Sequence, residues 1–173
     1  MRFNCRPVGL DFIDGATWRF ENVVELEASP ETVFDIFADG ESWPRWFRDI
    51  ERVVWTSPEP KGVGTTRTVT LTTMTVYEYF LAWDRGRRFA FRFEGSSLPL
   101  CRAGVEDYRL EELPLGRTRF TYGVYLEPTL VVRLAGPIAR HLDFPHMIAT
   151  DPEAGADGTF TGGCVGLPNM RAH

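Results

Sequence analysis

The chain has 173 residues with a formal charge of −5, long enough for one domain that buries roughly 70% of its unfolded surface without a disulfide framework or a structural metal. The acidic balance, with a pI of about 5.3, argues against general attraction to nucleic acid or to an anionic membrane, and no run approaches the roughly 20 apolar residues of a membrane helix. Cys5, Cys101 and Cys164 are far apart and odd in number, which suggests no disulfide framework and fits a reducing, cytoplasmic setting.

Residues 1–16 show no period and are expected to be irregular, with Pro7, Gly9 and Gly15. Residues 17–28 alternate, with Phe20, Val24 and Leu26 on one face and Glu21, Glu25 and Glu27 on the other, the mark of a half-buried strand. Ser29-Pro30 supplies an N-cap and a first helical residue. Val33, Phe34, Ile36 and Phe37 then give a short helix its apolar side, up to Asp39-Gly40. A second helical piece over 41–49 carries Trp43, Trp46 and Phe47, a large apolar load that must plug into something.

From 50 to 127 every segment predicts strand. Val53 and Trp55 mark the first, Arg67, Val69 and Leu71 the second, and Val76, Glu78 and Phe80 the third, which is apolar on both sides and ends at the turn Asp84-Arg85-Gly86-Arg87. Phe89, Phe91 and Phe93 recur at every second position with Arg92 and Glu94 between them, so this strand is covered on one face only. Residues 95–104 are expected to be a link. Tyr108 and Leu110 share a face of the next strand, and Phe120, Tyr122, Val124 and Leu126 alternate along the last. Six strands at hairpin spacing make an antiparallel meander. After Pro128, Leu130, Leu134, Ile138 and Leu142 fall four apart, the spacing of one helical face, with an interruption at Gly136-Pro137. Residues 144–173 lose the pattern and are expected to be an irregular or disordered, glycine-rich tail.

This order of elements resembles the polyketide cyclase/dehydrase-like branch of the START, or SRPBCC, superfamily, whose helix-grip fold is shared with the birch-pollen allergens. The resemblance covers about residues 17–143. It is carried by Ala28-Ser29-Pro30-Glu31-Thr32-Val33-Phe34, Trp43-Pro44-Arg45-Trp46, the stretch from Glu78 to Arg88 through Trp83-Asp84, and Gly116-Arg117-Thr118-Arg119-Phe120-Thr121-Tyr122. It implies an α+β fold in which a curved antiparallel sheet of about seven strands wraps a C-terminal helix, with two short helices after the first strand. The gap between sheet and helix is then a deep apolar pocket for a lipid, polyketide or aromatic compound. The resemblance also implies a longer C-terminal helix than the roughly four turns available before Pro145, so an incomplete lid is expected.

Strand parity places Arg67, Glu78 and Glu106 on inward faces, with Tyr108 and Tyr122 as pocket hydroxyls. These five are the catalytic candidates, set against the alternative that the charges sit near strand ends and reach water. The residues expected to line the ligand site are Trp43, Trp46, Phe47, Val69, Leu71, Phe80, Phe89, Phe91, Phe93, Tyr108, Leu110, Phe120, Tyr122, Val124, Leu130, Leu134 and Ile138. One narrow helical stripe cannot fill so wide a sheet, which predicts a cavity of order several hundred Å³ and micromolar uptake of fatty-acid or polyaromatic probes. His141, Asp143 and His146 have poor metal-ligand spacing, and no nucleotide, phosphate-loop or hydrolase signature occurs, so neither a metal nor a cofactor is expected. Arg85, Arg87, Arg88 and Arg92 resemble an anion patch, although a solvated turn is the plainer reading. Binding of a hydrophobic small molecule is favoured over a cofactor-independent cyclase, aromatase or dehydratase because no acid/base pair is evident. The sequence specifies neither the ligand nor the oligomeric state.

Overall fold

The computed structural model describes residues 1–133 and the backbone of two short strands further on. Leu134, Ile138, Leu142 and the His141, Asp143, His146 group lie outside the described residues, as does most of the tail.

The chain forms β1 (Phe3–Asn4), α1 (Phe12–Gly15), β2 (Trp18–Leu26), α2 (Pro30–Ala38), α3 (Trp43–Trp46), β3 (Ile50–Trp55), β4 (Thr66–Leu71), β5 (Thr75–Asp84), β6 (Arg88–Ser96), β7 (Cys101–Leu113) and β8 (Arg117–Pro128). Seven strands lie in the order β2-β8-β7-β6-β5-β4-β3, and β1 adds to β6. All pairings are antiparallel. The meander from β3 to β8 is the predicted topology, and the structure adds the return of β2 against β8.

Differences arise in the segments expected to be irregular or links, one of them the single turn of α1 at Phe12–Gly15. Phe3–Asn4 pairs with Gly95 and Ser96 in a stretch where two residues are too few to show a period. Cys101 to Gly104 belong to β7, extending it into the expected link. Further on, Asp151–Ala154 and Phe160–Val165 (β9 and β10) pair antiparallel within the expected irregular tail.

The sheet bends where its register shifts, once in β3/β4, twice in β5/β6 and once in β7/β8, because each bulge adds a residue to one strand and increases local twist. The shift between Phe80 and Ala82 changes the facing of β5. Phe80 and Trp83, three residues apart, therefore meet on the same side with ring centroids 5.0 Å apart.

Helix α2 begins as the sequence predicts: the Ser29 side chain accepts the Thr32 amide at 3.3 Å, and Pro30 stands in the first turn. Its inner face carries Val33, Phe34 and Phe37, all buried. Phe34 meets Phe89 edge-on at 5.5 Å, and Phe37 lies 5.2 Å from both Tyr108 and Phe120. The first cover over the phenylalanine strand is thus α2. Thr118 holds the start of the helix to β8 by donating to the Ala28 carbonyl at 2.6 Å. Residues 130–133 begin the C-terminal helix behind Thr129, whose hydroxyl accepts the Val132 amide at 3.4 Å.

The contrast between the two faces of α2 yields a stability prediction. Phe34→Ala should cost about 3–5 kcal/mol in denaturant unfolding, whereas Ile36→Ala, at a position 42% exposed, should stay within about 0.5 kcal/mol of the parent. Equal losses would place α2 wrongly.

Candidate functional site

Between α3 and the strands β4 to β8 lies a cavity of about 130 Å³. Val69, Leu71, Phe91 and Phe93 line its apolar wall, and Trp43 and Phe47 line it from α3 and the residue that follows. The five inward polar candidates, Arg67, Glu78, Glu106, Tyr108 and Tyr122, all line it too.

Register brings them together. Arg67 stands directly across from Glu78 in β4/β5, Glu106 is opposite Phe91 in β6/β7, and Tyr108 is opposite Tyr122 in β7/β8. The Arg67 guanidinium pairs with Glu78 through Nε, and these residues are 2% and 5% exposed. The strand-end reading, in which the charges reach water, is therefore excluded for both. Aromatic rings surround the guanidinium: Trp43 and Phe91 at 4.7 Å, Phe80 at 5.2 Å, and Trp55 and Phe89 at 5.5 Å. Their negative ring faces stabilise a cation that burial would otherwise penalise. Arg67 Nη1 is buried with no hydrogen-bond partner among the described residues.

Glu106 accepts a 2.7 Å hydrogen bond from the Tyr108 hydroxyl. It is half-buried and lines the cavity. Burial, and next the nearby Glu78 carboxylate, push its pKa up to about 7, against the opposing hydrogen bonds from Tyr108 and Tyr122 and the charge of Arg67. Burial likewise raises Glu78 although Arg67 opposes it, and it raises both tyrosines well above their ordinary range. The cluster holds one fixed cation, one carboxylate paired to it, and a second carboxyl that takes or releases a proton near neutrality.

Other expected lining residues fall elsewhere. Phe80, Phe89, Leu110 and Phe120 belong to the buried core: Phe34 and Phe37 of α2 pack on Phe89 and Phe120, and Trp55 and Trp83 pack on Phe80. Val124 is buried beside Glu106 in the sheet without lining the cavity. Trp46 packs on Trp43 at 4.4 Å, outside the lining, since a helix of four residues can aim only one tryptophan inward. Leu130 is 59% exposed, placed by the first turn of its helix on the outer side. The cavity is accordingly smaller than the several hundred Å³ expected.

Ser96, Leu100 and Cys101 line the cavity from the segment expected to be a link, which carries no periodic signal. Leu126 and Val76 also line it, and they share faces with candidates already named, so parity alone pointed to them. Of the four arginines weighed as an anion patch, Arg85, Arg87, Arg88 and Arg92, three are held by carboxylates. Arg85 is bidentate to Asp35, Arg88 is bidentate to Asp107, and Arg92 pairs with Glu94. Among the described residues no group of His, Cys, Asp and Glu side chains is placed to hold a metal, and no helix is long and apolar enough to cross a membrane.

A curved antiparallel sheet with two short helices after its first long strand, a C-terminal helix and an inward-facing cavity defines a helix-grip protein of the START superfamily. The family profile "Polyketide cyclase / dehydrase and lipid transport" matches residues 17–155, and the chain belongs to that family. Uncharacterized proteins of Mycobacterium tuberculosis and Mycobacterium bovis are each 42% identical to it over 136 residues, covering 78% of this chain and 77% of theirs. Among solved structures, a START superfamily protein from Mycobacterium smegmatis has 17% identity and a TM-score of 0.57, covering 72% of this chain and 90% of that one. The ZhuI aromatase/cyclase from Streptomyces sp. R1128 has 17% identity and a TM-score of 0.56, covering 68% and 72%. At these identities the likeness to both structures is one of fold.

Two measurements check the site. Trp43→Ala, which removes a ring 3% exposed, should cost about 3–5 kcal/mol, and Trp46→Ala clearly less. Glu106 binds its proton more tightly folded than unfolded, so below pH 4.5 it is protonated in both states and contributes no pH dependence. From there to about pH 7 the unfolded chain ionises first and stability falls, by about 3 kcal/mol at most, with no further change above. Glu106→Gln should remove this slope from chemical denaturation measured between pH 4 and 8, and an unchanged slope would mean that another group carries it.

Proposed function

We propose that this chain binds a hydrophobic, ring-containing small molecule whose neutral hydrogen-bonding end sits against Arg67, Glu106 and Tyr122. The observation that carries the reading is the unpartnered Nη1 of Arg67, a buried donor on the wall of a cavity whose lining is mostly apolar. A buried donor without an acceptor costs about 1–3 kcal/mol, which a ligand oxygen would recover. The family supports the broader statement, hydrophobic ligand binding or cyclase-type activity.

Charge counting narrows the polar end. Arg67 is already neutralised by Glu78, and Glu106 is a further acid beside them. A ligand carboxylate would add a third acid to a site with one base. This favours a carbonyl, alcohol or phenol over the fatty-acid carboxylate considered from the sequence. Fluorescence titration with 2-naphthol and 2-naphthoate at pH 8 tests it. The neutral compound should bind with a micromolar Kd and the carboxylate about tenfold more weakly or worse. Equal binding, or none by either, overturns the reading. Native mass spectrometry of the purified protein adds a direct search for a co-purifying ligand.

A second reading, a cofactor-independent cyclase, aromatase or dehydratase, is favoured by one observation. Glu106 accepts a hydrogen bond from Tyr108 inside the cavity, and burial pushes its pKa up to about 7, the range suited to a group that moves protons at neutral pH. In that case Glu106 abstracts the proton α to a bound carbonyl, and Arg67 Nη1 stabilises the resulting enolate oxygen. Proton NMR of a bound aromatic ketone in D₂O separates the two. Catalysed exchange at the α carbon that Glu106→Gln abolishes supports the enzyme, and absence of exchange with retained binding supports the carrier.

A further inference from the structure

Cys5 and Cys101 are separated by 96 positions, yet their sulfurs are 3.8 Å apart, with either able to donate the hydrogen bond between them. Each residue is 8% exposed. Their spacing offers no reason to pair them, because the contact depends on where β1 docks. Phe3 and Asn4 pair with Ser96 and Gly95, the Cys5 amide donates to the Glu94 carbonyl at 3.1 Å, and the Arg6 amide donates to the Arg102 carbonyl at 2.6 Å. Gly95 permits this approach, since a Cβ there would lie 2.6 Å from the Phe3 carbonyl oxygen. Cys5 is thereby held between β6 and the first residues of β7, and Cys101 opens β7 and lines the cavity. Neither cysteine belongs to the main aromatic cluster or to the polar groups of the ligand site.

We propose that Cys5 and Cys101 form an oxidisable dithiol site, closed to a disulfide by a peroxide or by a low-molecular-weight disulfide such as oxidised glutathione, and that this bond clamps the N-terminal strand to β7. Contacting sulfurs place the pair within reach of a disulfide. Cys5 is the attacking sulfur. The hydrogen bond from Cys101 lowers its pKa, burial raises it, Arg2 favours the thiolate and Glu94 opposes it. Cys101 is pushed up by the same hydrogen bond and by burial, with Glu127 adding to the rise. With oxidised glutathione, the Cys5 thiolate attacks one sulfur, the glutathione S–S bond breaks, and one glutathione leaves as a thiolate that takes up a proton. The Cys101 sulfur then displaces the second glutathione from Cys5 as its Cys5–Cys101 bond forms, passing its proton to the leaving thiolate. The two protein thiols are oxidised by two electrons in total, and one glutathione disulfide is reduced to two glutathiones. This chemistry is independent of the ligand reading.

The test uses the full chain, reduced and then equilibrated with oxidised glutathione. Thiol titration of the unfolded product should show two thiols lost, both recovered with dithiothreitol, and peptide mapping should recover a Cys5–Cys101 linked fragment. Cys164→Ser should behave like the parent in both respects. Amide hydrogen exchange at Cys5 and Arg6 should slow about tenfold or more in the oxidised form, because opening of the strand end is restrained. Cys5→Ser should lose the linked fragment and the slowed exchange. If that variant does not fold, mapping of the parent chain decides alone. Stable glutathione adducts without an internal bond, a bond that uses Cys164, or no reaction under conditions that oxidise dithiothreitol each overturn the proposal.

Discussion

Arg67 carries a full positive charge into the interior of a small domain, and much of the surrounding architecture follows from making that tolerable. Moving a guanidinium out of water costs several kcal/mol unless it is paired and well surrounded. The β4/β5 register places Glu78 directly opposite, five aromatic rings stand around the cation, and one of them, Trp43, comes from α3. A one-residue slip between β4 and β5 would send both charges to opposite faces and leave each unpaired. The ion pair thus specifies register, the docking of α3 and the polar end of the cavity together.

The second determinant is the division of the sheet's concave face. Phe34 and Phe37 seat α2 over β6, β7 and β8, turning one part of that face into densely packed core. The remaining part, toward Phe93, Leu71 and Leu126, stays open as the cavity. Counting only the C-terminal helix as filler overestimates the space, because the short helix contributes two phenylalanines of its own. Polar residues survive in the open part because hydrogen bonds between strands bring them together: Tyr108 and Tyr122 face each other across β7/β8, and Glu106 lies two pairs along, on the same face. A cavity with one paired cation and a carboxyl poised near neutrality can select a neutral polar group or move a proton, and the same geometry underlies both functional readings.

The alternation of Phe89, Phe91 and Phe93, of Phe120, Tyr122 and Val124, and of Arg67, Val69 and Leu71 determined the strands, their inward faces and the antiparallel meander, because a period of two is local and survives in any tertiary context. Ser29-Pro30 likewise determined the start of α2, and parity alone pointed Arg67, Glu78, Glu106, Tyr108 and Tyr122 inward. Tertiary structure decided the rest, where the deciding contacts are long-range. Whether Arg67 meets Glu78 or water depends on the β4/β5 register. The facing of Trp83 depends on a bulge in β5, and the removal of Phe89 and Phe120 from the cavity depends on where α2 lands. The meeting of Cys5 with Cys101 requires a two-residue strand, too short to have a period, to find the edge of β6. Periodicity reports which face of an element is buried, and only packing reports what it is buried against.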